Sequence, residues 1–445
     1  MLGFMTATLI DAQGLVGRLR ETFRARHTRP IAWRKAQLQA LRAMLTEQAD
    51  DFLAALRADL GKSEAQARAA ELDFVVREID HTLANLDSWL ADEPVDVPAR
   101  MGGGVARVVR EPLGVALIIG PWNYPVHLVF APLAGAIAAG DCVVIKPSEV
   151  SVHVSAAIAR HIPRYLDTDA FAVVEGGVGE TTELLAQQFD HIFYTGNGAV
   201  GRIVMGAAAQ HLTPVTLELG GKSPTVVEPG TDYAAAAGVI AYGRFSNAGQ
   251  TCVAPDYLLA IGSAADEIQP FLAGAVKAIF GEDPQVSPEY GRIINERHFD
   301  RLRPLLDDGR VVFGGQHDRA DRYIAPTLLD DVDPGSAVMA EEIFGPILPI
   351  IRVPDLDAAI AFINERDKPL ALYGFTASER SKQRLQEETS SGGLAFGAAL
   401  VQLGVPDLPF GGVGESGLGR YHGKYSIDTF SHLKAVLDAS VGGAS

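Results

Sequence analysis

The first ninety residues carry apolar side chains at the spacing of α-helices. Two stripes recur mostly at steps of three, four or seven, which places each stripe on one helix face. The stripes are Leu38, Leu41, Leu45, Leu53, Leu56 and Leu60, and then Leu72, Val76, Ile79, Leu83, Leu86 and Leu90. The first run ends at Gly61 and the second at Pro94, residue types that commonly stop helices. The pattern predicts a helical N-terminal region whose apolar faces turn toward a core.

Beyond residue 105 the apolar positions form short continuous runs that alternate with helical stretches. Two series of runs follow one another: 115–119, 142–145, 171–174, 191–194 and 215–219, and then 257–261, 311–313, 347–353, 372–376 and 394–396. Runs this apolar are typical of strands buried on both faces. Their alternation with helices, including a helix predicted over 233–245, indicates two doubly wound α/β units.

The length and the net charge of the chain limit the classes of function that it can have. The chain has 445 residues, which fits two or three domains, and its 55 acidic and 38 basic residues give a net charge of −17. Such a charge repels nucleic-acid phosphates and anionic lipid surfaces, so we expect no nucleic-acid and no membrane partner. Segment 1–14 lacks the features of a signal peptide, and no segment reaches the roughly 20 apolar residues of a bilayer span.

The two cysteines, Cys142 and Cys252, do not form a Cys-x-x-Cys pair. This argues against a disulfide framework and against a cysteine-rich zinc site. We find no His-x-x-x-His pattern or carboxylate cluster that suggests a metal. The sequence therefore predicts an enzyme or binding protein without a metal, working in a reducing compartment, the cytoplasm.

Cys252 and Glu218 are the strongest candidates for chemistry. Cys252 follows the polar, glycine-containing turn 246–251, where a thiol can be exposed and its pKa lowered by backbone N–H groups. Glu218 ends an apolar strand before two glycines, where α/β sheets place functional groups and burial raises a carboxyl pKa toward that of a general base. Read alone, Cys252 is equally well a bystander, and Glu218 a turn or capping acid.

Polar segments follow two further predicted strands. Asn123 lies between Pro121 and Pro125, so that a rigidly held carboxamide can donate to a developing oxyanion; a proline-braced turn explains the same pattern. Lys146 and Glu149 stand three residues apart after a strand. The two side chains can bind a diol from two sides, and the alternative is that they form a solvated ion pair with each other.

Three glycine-containing segments complete the set of candidates. Segment 193–201, Phe-Tyr-Thr-Gly-Asn-Gly-Ala-Val-Gly, follows a strand and opens a helix, where a phosphate can approach free N–H groups. It departs from the G-x-G-x-x-G pattern, so a tight turn between strand and helix is the alternative. Segments 341–346 and 409–414 are, each alone, ordinary turns that carry a phenylalanine.

Together and in this order, five segments resemble motifs of the aldehyde dehydrogenase superfamily, most closely its class 3 branch. They are Phe-Tyr-Thr-Gly-Asn at 193–197, Leu-Glu-Leu-Gly-Gly-Lys-Ser-Pro at 217–224, Gly-Gln-Thr-Cys at 249–252, Glu-Ile-Phe-Gly-Pro at 342–346 and Pro-Phe-Gly-Gly-Val-Gly at 409–414. The resemblance covers roughly residues 10–435. It implies NAD(P)-dependent oxidation of an aldehyde to its carboxylic acid through a thiohemiacetal and a thioester on a cysteine.

The resemblance implies a role for each catalytic candidate. Cys252 matches the family nucleophile, and Glu218 matches the glutamate that activates water for deacylation. Asn123 matches the carboxamide that stabilises the oxyanion together with the backbone N–H of Cys252.

The resemblance also implies NAD or NADP as the cofactor. Lys146 and Glu149 match residues on the adenosine ribose, and Glu342 matches the residue on the nicotinamide ribose, with Phe344 packing nearby. The other expected cofactor contacts are Pro121, Trp122, Gly196, Asn197, Gly198, Ala199, Val200 and Gly201, the last six beside the pyrophosphate. Glu149 should repel a 2′-phosphate, yet class 3 relatives often accept both cofactors, so the preference stays open.

The substrate is less well determined than the reaction. Tyr124, Tyr242 and Phe245 suit a tunnel for aromatic or medium-chain aldehydes, although ordinary packing explains each equally well. Class 3 members usually carry Asn-Asp and then a His where this chain has Gly-Ala at 397–398 and Gln402. That stretch helps to wall the substrate tunnel in the family, so the preferred aldehyde does not transfer.

The family fold implies two α/β domains and a β-arm for oligomerisation. We expect a dinucleotide-binding, Rossmann-like domain over 1–98 and 113–217, a catalytic domain over 218–415, and the arm over 99–112 and 416–445. The arm would pair 105–109 with a strand near 430–437 and would support a homodimer.

Two other functions stay open on the sequence. One is a relative that passes the acyl group to coenzyme A, and the other is a catalytically silent protein that binds nucleotide or has a structural role. The presence of Cys252, Glu218 and Asn123 counts against the silent protein.

Overall fold

The computed structural model describes residues 10–101 and 103–439, so the expectations for the first nine residues and for the last six lie outside it. The α-helices are, in chain order, α1 (Ala12–Arg24), α2 (Ile31–Glu47), α3 (Ala49–Leu60), α4 (Glu64–Ala67), α5 (Asp73–Trp89), α6 (His127–Ala139), α7 (Val152–Tyr165), α8 (Val178–Leu185), α9 (Gly198–Ala209), α10 (Tyr233–Phe245), α11 (Ala264–Phe280), α12 (Glu296–Leu302), α13 (Ala337–Ala340), α14 (Leu356–Asn364), α15 (Glu379–Glu388) and α16 (Lys424–Thr429). The strands are β1 (Glu93–Val95), β2 (Val105–Pro112), β3 (Val115–Ile119), β4 (Cys142–Lys146), β5 (Phe171–Val173), β6 (His191–Thr195), β7 (Val215–Glu218), β8 (Pro224–Val227), β9 (Tyr257–Ile261), β10 (Arg310–Phe313), β11 (His317–Asp318), β12 (Tyr323–Ile324), β13 (Thr327–Asp330), β14 (Ile347–Val353), β15 (Ala371–Phe375), β16 (Gly393–Phe396), β17 (Gly417–Leu418) and β18 (Ser431–Asp438).

A six-stranded sheet in the order β17-β7-β6-β3-β4-β5 forms the first α/β unit. Strands β3 to β7 pair in parallel, and β17 adds an antiparallel edge. β3, β4 and β6 are buried along their whole length because apolar side chains on both faces join one core. The five strands predicted within 115–219 are confirmed, and their parallel order brings their carboxyl ends to one edge of the sheet.

A seven-stranded sheet in the order β10-β13-β14-β9-β8-β15-β16 forms the second unit. Its strands pair in parallel except for β10 and β13. The five predicted runs of this series are confirmed, whereas β8 and β13 were not predicted. β8 starts with proline directly after the Gly-Gly-Lys-Ser segment, and β13, Thr-Leu-Leu-Asp, has only two apolar residues.

A three-stranded sheet forms the arm, with β2 between β1 and β18. β2 and β18 run antiparallel over their full length, with Val105 opposite Asp438 and Val109 opposite Lys434. The predicted pairing of 105–109 with a strand near 430–437 is therefore confirmed. β18 lies at the edge of this sheet, and most of its residues are exposed.

The C-terminal segment is divided between two sheets. β17 pairs with β7 in the first unit, and α16 packs against α6 there, whereas β18 belongs to the arm. The structure thus differs from the predicted arm over 416–445, because the segment before β18 completes the first unit. The remaining domain boundaries stay a prediction.

The N-terminal helices bury the predicted leucine stripes. Leu38, Leu41 and Leu45 of α2 and Leu56 and Leu60 of α3 are fully covered or nearly so, as the helical spacing predicts. α10 has the predicted bounds. Among the described residues, no helix is both long enough and apolar enough to cross a membrane.

Candidate active site

Four of the predicted site segments begin where parallel strands of the first sheet end. β3 leads into the turn 121–125, β4 ends on Lys146, β6 leads to Gly196, and Glu218 is the last residue of β7. In open α/β sheets the carboxyl ends of the strands form the crevice in which ligands bind. The topology therefore gathers these segments along one edge.

Cys252 follows a strained turn at the end of α10. Asn247, Ala248 and Gly249 all have left-handed backbone conformations, with φ of 52°, 53° and 74°. For residues other than glycine this costs roughly 1–3 kcal/mol each, so the surroundings must hold the turn in place. At Gly249 a methyl group would collide with the carbonyl oxygen of Gly345. The turn before the nucleophile candidate thus packs backbone against backbone on a second predicted motif.

The Cys252 thiol is partly buried. Burial raises its pKa, and the carboxyl groups of Glu342 and Glu218 raise it further, whereas the backbone N–H groups of Cys252 and Val253 lower it. The sequence analysis expected an exposed thiol with a lowered pKa, and the structure corrects this because desolvation outweighs the N–H groups. The thiol therefore has to lose its proton to an acceptor before it can act as a nucleophile.

Asn123 is directly bonded to the turn that carries the thiol. Its Nδ2 donates to the carbonyl oxygen of Gln250 at 3.1 Å, and Asn247 Nδ2 donates to the Asn123 carbonyl at 3.0 Å. The hydroxyls of Tyr124 and Thr251 share a hydrogen bond of 2.9 Å. These contacts confirm that the sheet edge brings the predicted carboxamide beside the segment of the predicted nucleophile.

Glu218 is a buried carboxyl at the end of β7. It is 2% exposed, and neither of its carboxyl oxygens has a hydrogen-bond partner among the residues that the structure describes. Burial raises its pKa well above the usual value, as the sequence analysis expected. A carboxyl group in this state can accept a proton near neutral pH, which is the requirement for a general base.

Tyr421 is a nearby residue that the sequence analysis missed. Burial raises the pKa of its phenol, and the charges of Glu218 and Cys252 raise it further. Its backbone pairs with that of Phe410 in the last predicted motif. Tyr421 lies beyond every recognised segment, and no pattern in the sequence marks it.

Lys146 and Glu149 lie together at the end of β4. Lys146 Nζ donates to the Pro147 carbonyl at 2.8 Å and lies 3.6 Å from the Glu149 carboxylate. The lysine side chain is buried and the carboxylate is half exposed. A ribose diol at this position would meet one cationic donor and one acceptor, so the residues present fit the predicted contact.

The start of α9 is shaped to receive an anion. Asn197 caps the helix, its Oδ1 accepting from Val200 N at 3.0 Å, and Gly198 is the first helical residue. At Gly201 a methyl group would come within 2.9 Å of Leu219, so glycine allows α9 to pack closely on the strand end. The N-terminus of a helix favours negative charge, so a pyrophosphate fits at segment 196–201.

Glu342 and Phe344 contact two of the other site segments. The Glu342 carboxylate occupies the space beside Gly220, where a methyl group would collide with it, and burial raises its pKa. The ring of Phe344 meets the ring of Trp122 edge to face, with centroids 5.2 Å apart. The two motifs are therefore in contact, which places the predicted nicotinamide-ribose residue next to the turn that carries the carboxamide.

The predicted substrate residues have three different environments. Tyr124 is half-buried beside Thr251, and Tyr242 is exposed on α10. Phe245 has no exposed surface and packs in the core of the second unit. A completely covered ring has no surface left to touch a substrate, so Phe245 is withdrawn from the predicted substrate contacts.

A largely apolar cavity lies next to the residue that follows Cys252. A cavity of about 210 Å³ extends from Val253, the neighbour of Cys252, to Phe410, and Gln402 and Leu403 contribute to its wall. Gln402 Nε2 donates to Tyr373 Oη, which in turn donates to the Val253 carbonyl. Gln402, noted above as a departure from the class 3 pattern, is therefore linked through Tyr373 to the backbone of the residue after Cys252. Within the described ranges, no group of three or more His, Cys, Asp or Glu side chains is placed to hold a metal.

Comparisons with known proteins agree on one family. The model of the "Aldehyde dehydrogenase family" matches residues 3–436. The chain is 52% identical over 430 residues to "Aldehyde dehydrogenase family 3 member A2" of Rattus norvegicus, covering 97% of this chain and 89% of the relative. It is 50% identical over 426 residues to "Aldehyde dehydrogenase, dimeric NADP-preferring" of Rattus norvegicus, covering 96% and 94%. A solved structure of Staphylococcus aureus AldH in a substrate-bound state matches with a TM-score of 0.96 and 44% identity, over 98% of this chain and 96% of that chain.

Proposed function

The chain belongs to the aldehyde dehydrogenase family and is an NAD(P)-dependent aldehyde dehydrogenase, and from that premise we propose how its own residues carry out the oxidation of an aldehyde to a carboxylic acid. The observation that supports the proposal is a convergence of three groups. The Asn123 carboxamide is bonded to Gln250, two residues before the Cys252 thiol, and Glu218 lies close enough to raise the pKa of that thiol. The matched relatives give no support to the acyl transfer to coenzyme A or to the silent protein.

Cys252 acts as the nucleophile. The thiol gives its proton to water, its sulfur forms a bond to the aldehyde carbon, and the carbonyl electron pair moves onto oxygen, giving a tetrahedral thiohemiacetal. Asn123 Nδ2 and the backbone N–H of Cys252 stabilise the developing oxyanion. One N–H of the Asn123 amide fixes its orientation by bonding to Gln250, and an amide has a second N–H for the oxyanion. Nicotinamide, when bound, supplies the hydride acceptor that turns the adduct into a thioester.

Glu218 completes the reaction by activating water. Its unpartnered, buried carboxylate takes a proton from a water molecule, the hydroxide attacks the thioester carbon, and the carboxylic acid leaves as the C–S bond breaks. The Cys252 sulfur is regenerated at the same time. The raised pKa of Glu218 suits this role because a stronger base takes the proton more readily.

We assign the cofactor contacts to the residues gathered at the sheet edge. Lys146 and Glu149 would hold the adenosine ribose, segment 196–201 the pyrophosphate, and Glu342 the nicotinamide ribose. Phe344, Pro121 and Trp122 would pack around the nicotinamide end. The family uses NAD or NADP, and the Glu149 carboxylate would repel a 2′-phosphate, while one relative is named NADP-preferring, so both cofactors are tested.

The substrates we propose are aromatic and medium-chain aldehydes. The support is the apolar cavity between Val253 and Phe410 and the half-buried ring of Tyr124. Purified protein should form NADH or NADPH with benzaldehyde and with a medium-chain aliphatic aldehyde, without added coenzyme A, and release the matching acid. Reactions without aldehyde are the control. An absence of reduced cofactor with every aldehyde and both cofactors would contradict the function, and a requirement for coenzyme A would favour the acyl-transferring relative.

We also propose a homodimer that works in the cytoplasm. β18 offers an exposed edge strand whose Leu433 and Leu437 are 50% and 58% exposed, and such an edge readily pairs with another chain. The two cysteines are unpaired, as is usual in a reducing compartment. Sedimentation should give twice the mass of the chain, and proline at Leu433 should lower that mass, because proline removes an N–H and disrupts strand pairing. A parent protein with the mass of a single chain would refute the dimer.

A further inference from the structure

A buried ion pair lies beneath the turn that carries Asn123. Lys62 Nζ donates to Glu71 Oε1 at 2.5 Å, and the two side chains are 2% and 0% exposed. Neither residue belongs to a motif that the sequence analysis recognised. Both come from the helical N-terminal region, far from Asn123 in sequence.

The pair contacts both sides of the turn. Lys62 Nζ donates to the Asn123 carbonyl at 2.8 Å and lies 3.9 Å from the centre of the Tyr124 ring. Glu71 Oε2 accepts from the backbone N–H groups of Val126 and His127, at 3.1 and 2.9 Å. The backbone on either side of Pro125 is thus bonded to one ion pair.

The local backbone around the pair is unusual. Lys62 directly follows Gly61, which ends α3 in a left-handed conformation with φ of 65°. Glu71 lies in a π-helical turn, Arg68–Leu72, between α4 and α5. Single π-turns are rare and occur frequently at functional sites, because the wider turn redirects a side chain. Here that turn contains the carboxylate that contacts the Asn123 segment.

Stability alone does not explain such a pair. Removing two charges from water is costly, and an apolar pair of similar volume often stabilises a protein as well or better. The contacts instead indicate that the pair fixes the position of the Asn123 segment. Position matters here because a displacement of 1 Å at a reacting group can cost about 10²-fold in rate. A second hydrogen bond to the Asn123 carbonyl comes from Asn247, in the turn before Cys252. The Asn123 carbonyl is therefore held from the helical region and from the nucleophile turn together.

We propose that Lys62 and Glu71 are positioning residues for the oxyanion site, because they fix the backbone from Asn123 to His127 and so aim the Asn123 carboxamide at the reacting carbonyl. This inference rests on the proposed role of Asn123. Neither residue touches the substrate or the reacting atoms.

The variant Lys62→Met with Glu71→Gln tests the proposal without leaving an unpaired buried charge. Met keeps the apolar stem against Tyr124, and Gln keeps one oxygen for the two backbone N–H groups, whereas the hydrogen bond to the Asn123 carbonyl is lost. We expect kcat and the rate of the NADH burst to fall about 10–10²-fold with the KM for NAD unchanged. Circular dichroism establishes that the variant is folded at the assay temperature.

A double-mutant cycle with Asn123→Ala separates positioning from general damage. Asn123→Ala alone should lower kcat about 10²–10³-fold, the usual effect of losing one oxyanion donor. If the pair acts through Asn123, adding Lys62→Met and Glu71→Gln to that variant should lower kcat by less than about threefold. A full 10–10²-fold loss in the Asn123→Ala background would overturn the proposal. An unchanged kcat in the parent background would do so as well.

The control variants distinguish a failure of this proposal from a failure of the proposed function. Lys35 and Asp87 form an exposed pair of the same chemical type at 2.7 Å in the helical region, and Lys35→Met with Asp87→Asn should leave kcat unchanged. If Lys62→Met with Glu71→Gln does not fold, Lys62→Met alone enters the same cycle, because it removes the hydrogen bond to the Asn123 carbonyl and the buried Glu71 carboxyl can take up a proton. If the parent protein does not oxidise aldehydes, the proposed function itself is refuted. If the Asn123→Ala variant is fully active, the proposed role of Asn123 is refuted.

Discussion

Replacing Cys252 with alanine is expected to lower aldehyde oxidation by at least about 10⁴-fold, because no other group can form the covalent adduct. NAD binding should persist, since the ribose and pyrophosphate contacts proposed here lie on other segments. Steady-state formation of NADH measures the first effect, and titration calorimetry with NAD measures the second. Turnover at the parent rate would overturn the assignment of the nucleophile.

The second thiol provides a matched control for this experiment. Cys142 lies in β4 with no exposed surface, and burial raises the pKa of its thiol to about 12. It is therefore an inert thiol. Cys142→Ala should retain kcat, so that a loss specific to Cys252→Ala reports on chemistry and not on the removal of a sulfur atom.

Replacing Glu218 with glutamine is expected to stall the enzyme after the first turnover. Acylation of Cys252 does not need the base that activates water, so the NADH burst should remain while kcat falls about 10²–10⁴-fold. Mass spectrometry of the variant mixed with aldehyde and NAD should find the acyl group on the peptide containing Cys252. Acid release at the parent rate would place the base elsewhere.

The pH dependence gives Glu218 a second, independent signature. Its carboxylate is the active form, and burial raises its pKa well above the usual value. The parent should therefore lose deacylation as pH falls through this raised pKa, at a higher pH than an ordinary glutamate would give. Glu218→Gln should not show this transition. Glu379, an exposed acid paired with Lys382, gives the control Glu379→Gln, which should keep the parent profile.

The sequence predicted most of the fold because most of its elements have a clear periodicity. Buried parallel strands such as β3 and β4 are continuous apolar runs, and β3 was predicted with its observed bounds and β4 with an error of one residue at its end. β8 and β13 were not predicted, because a short strand that begins with proline or contains only two apolar residues resembles a loop. The division of segment 416–445 between two sheets has no local signal, since the pairing partner of β17 lies some two hundred positions earlier along the chain.

The site residues that belong to short sequence motifs could be predicted. Cys252, Glu218 and Asn123 are distinctive residue types in short patterns, and the structure gathers their segments at one sheet edge. Lys62 and Tyr421 were missed because a lysine after a helix and an isolated tyrosine are common everywhere. Their relevance comes only from three-dimensional neighbours.

The raised pKa of the Cys252 thiol also could not be predicted from the sequence. The turn before it predicted N–H groups that lower the thiol pKa, and those groups are present. The opposing contribution comes from burial and from Glu342, which is ninety positions further along the chain. Their balance depends on tertiary packing, which local pattern does not encode.

The two glycines that touch neighbouring motifs also restrict how this enzyme can diverge. Gly249 has no room for a methyl group against the backbone carbonyl of Gly345, so glycine is needed there, and at Gly220 a methyl group requires the Glu342 carboxylate to move. Gln402, in contrast, lies in a cavity wall, where its side chain donates a hydrogen bond to Tyr373. Selection for new aldehydes would therefore proceed through wall positions of this kind, while the backbone that carries the nucleophile is inherited unchanged.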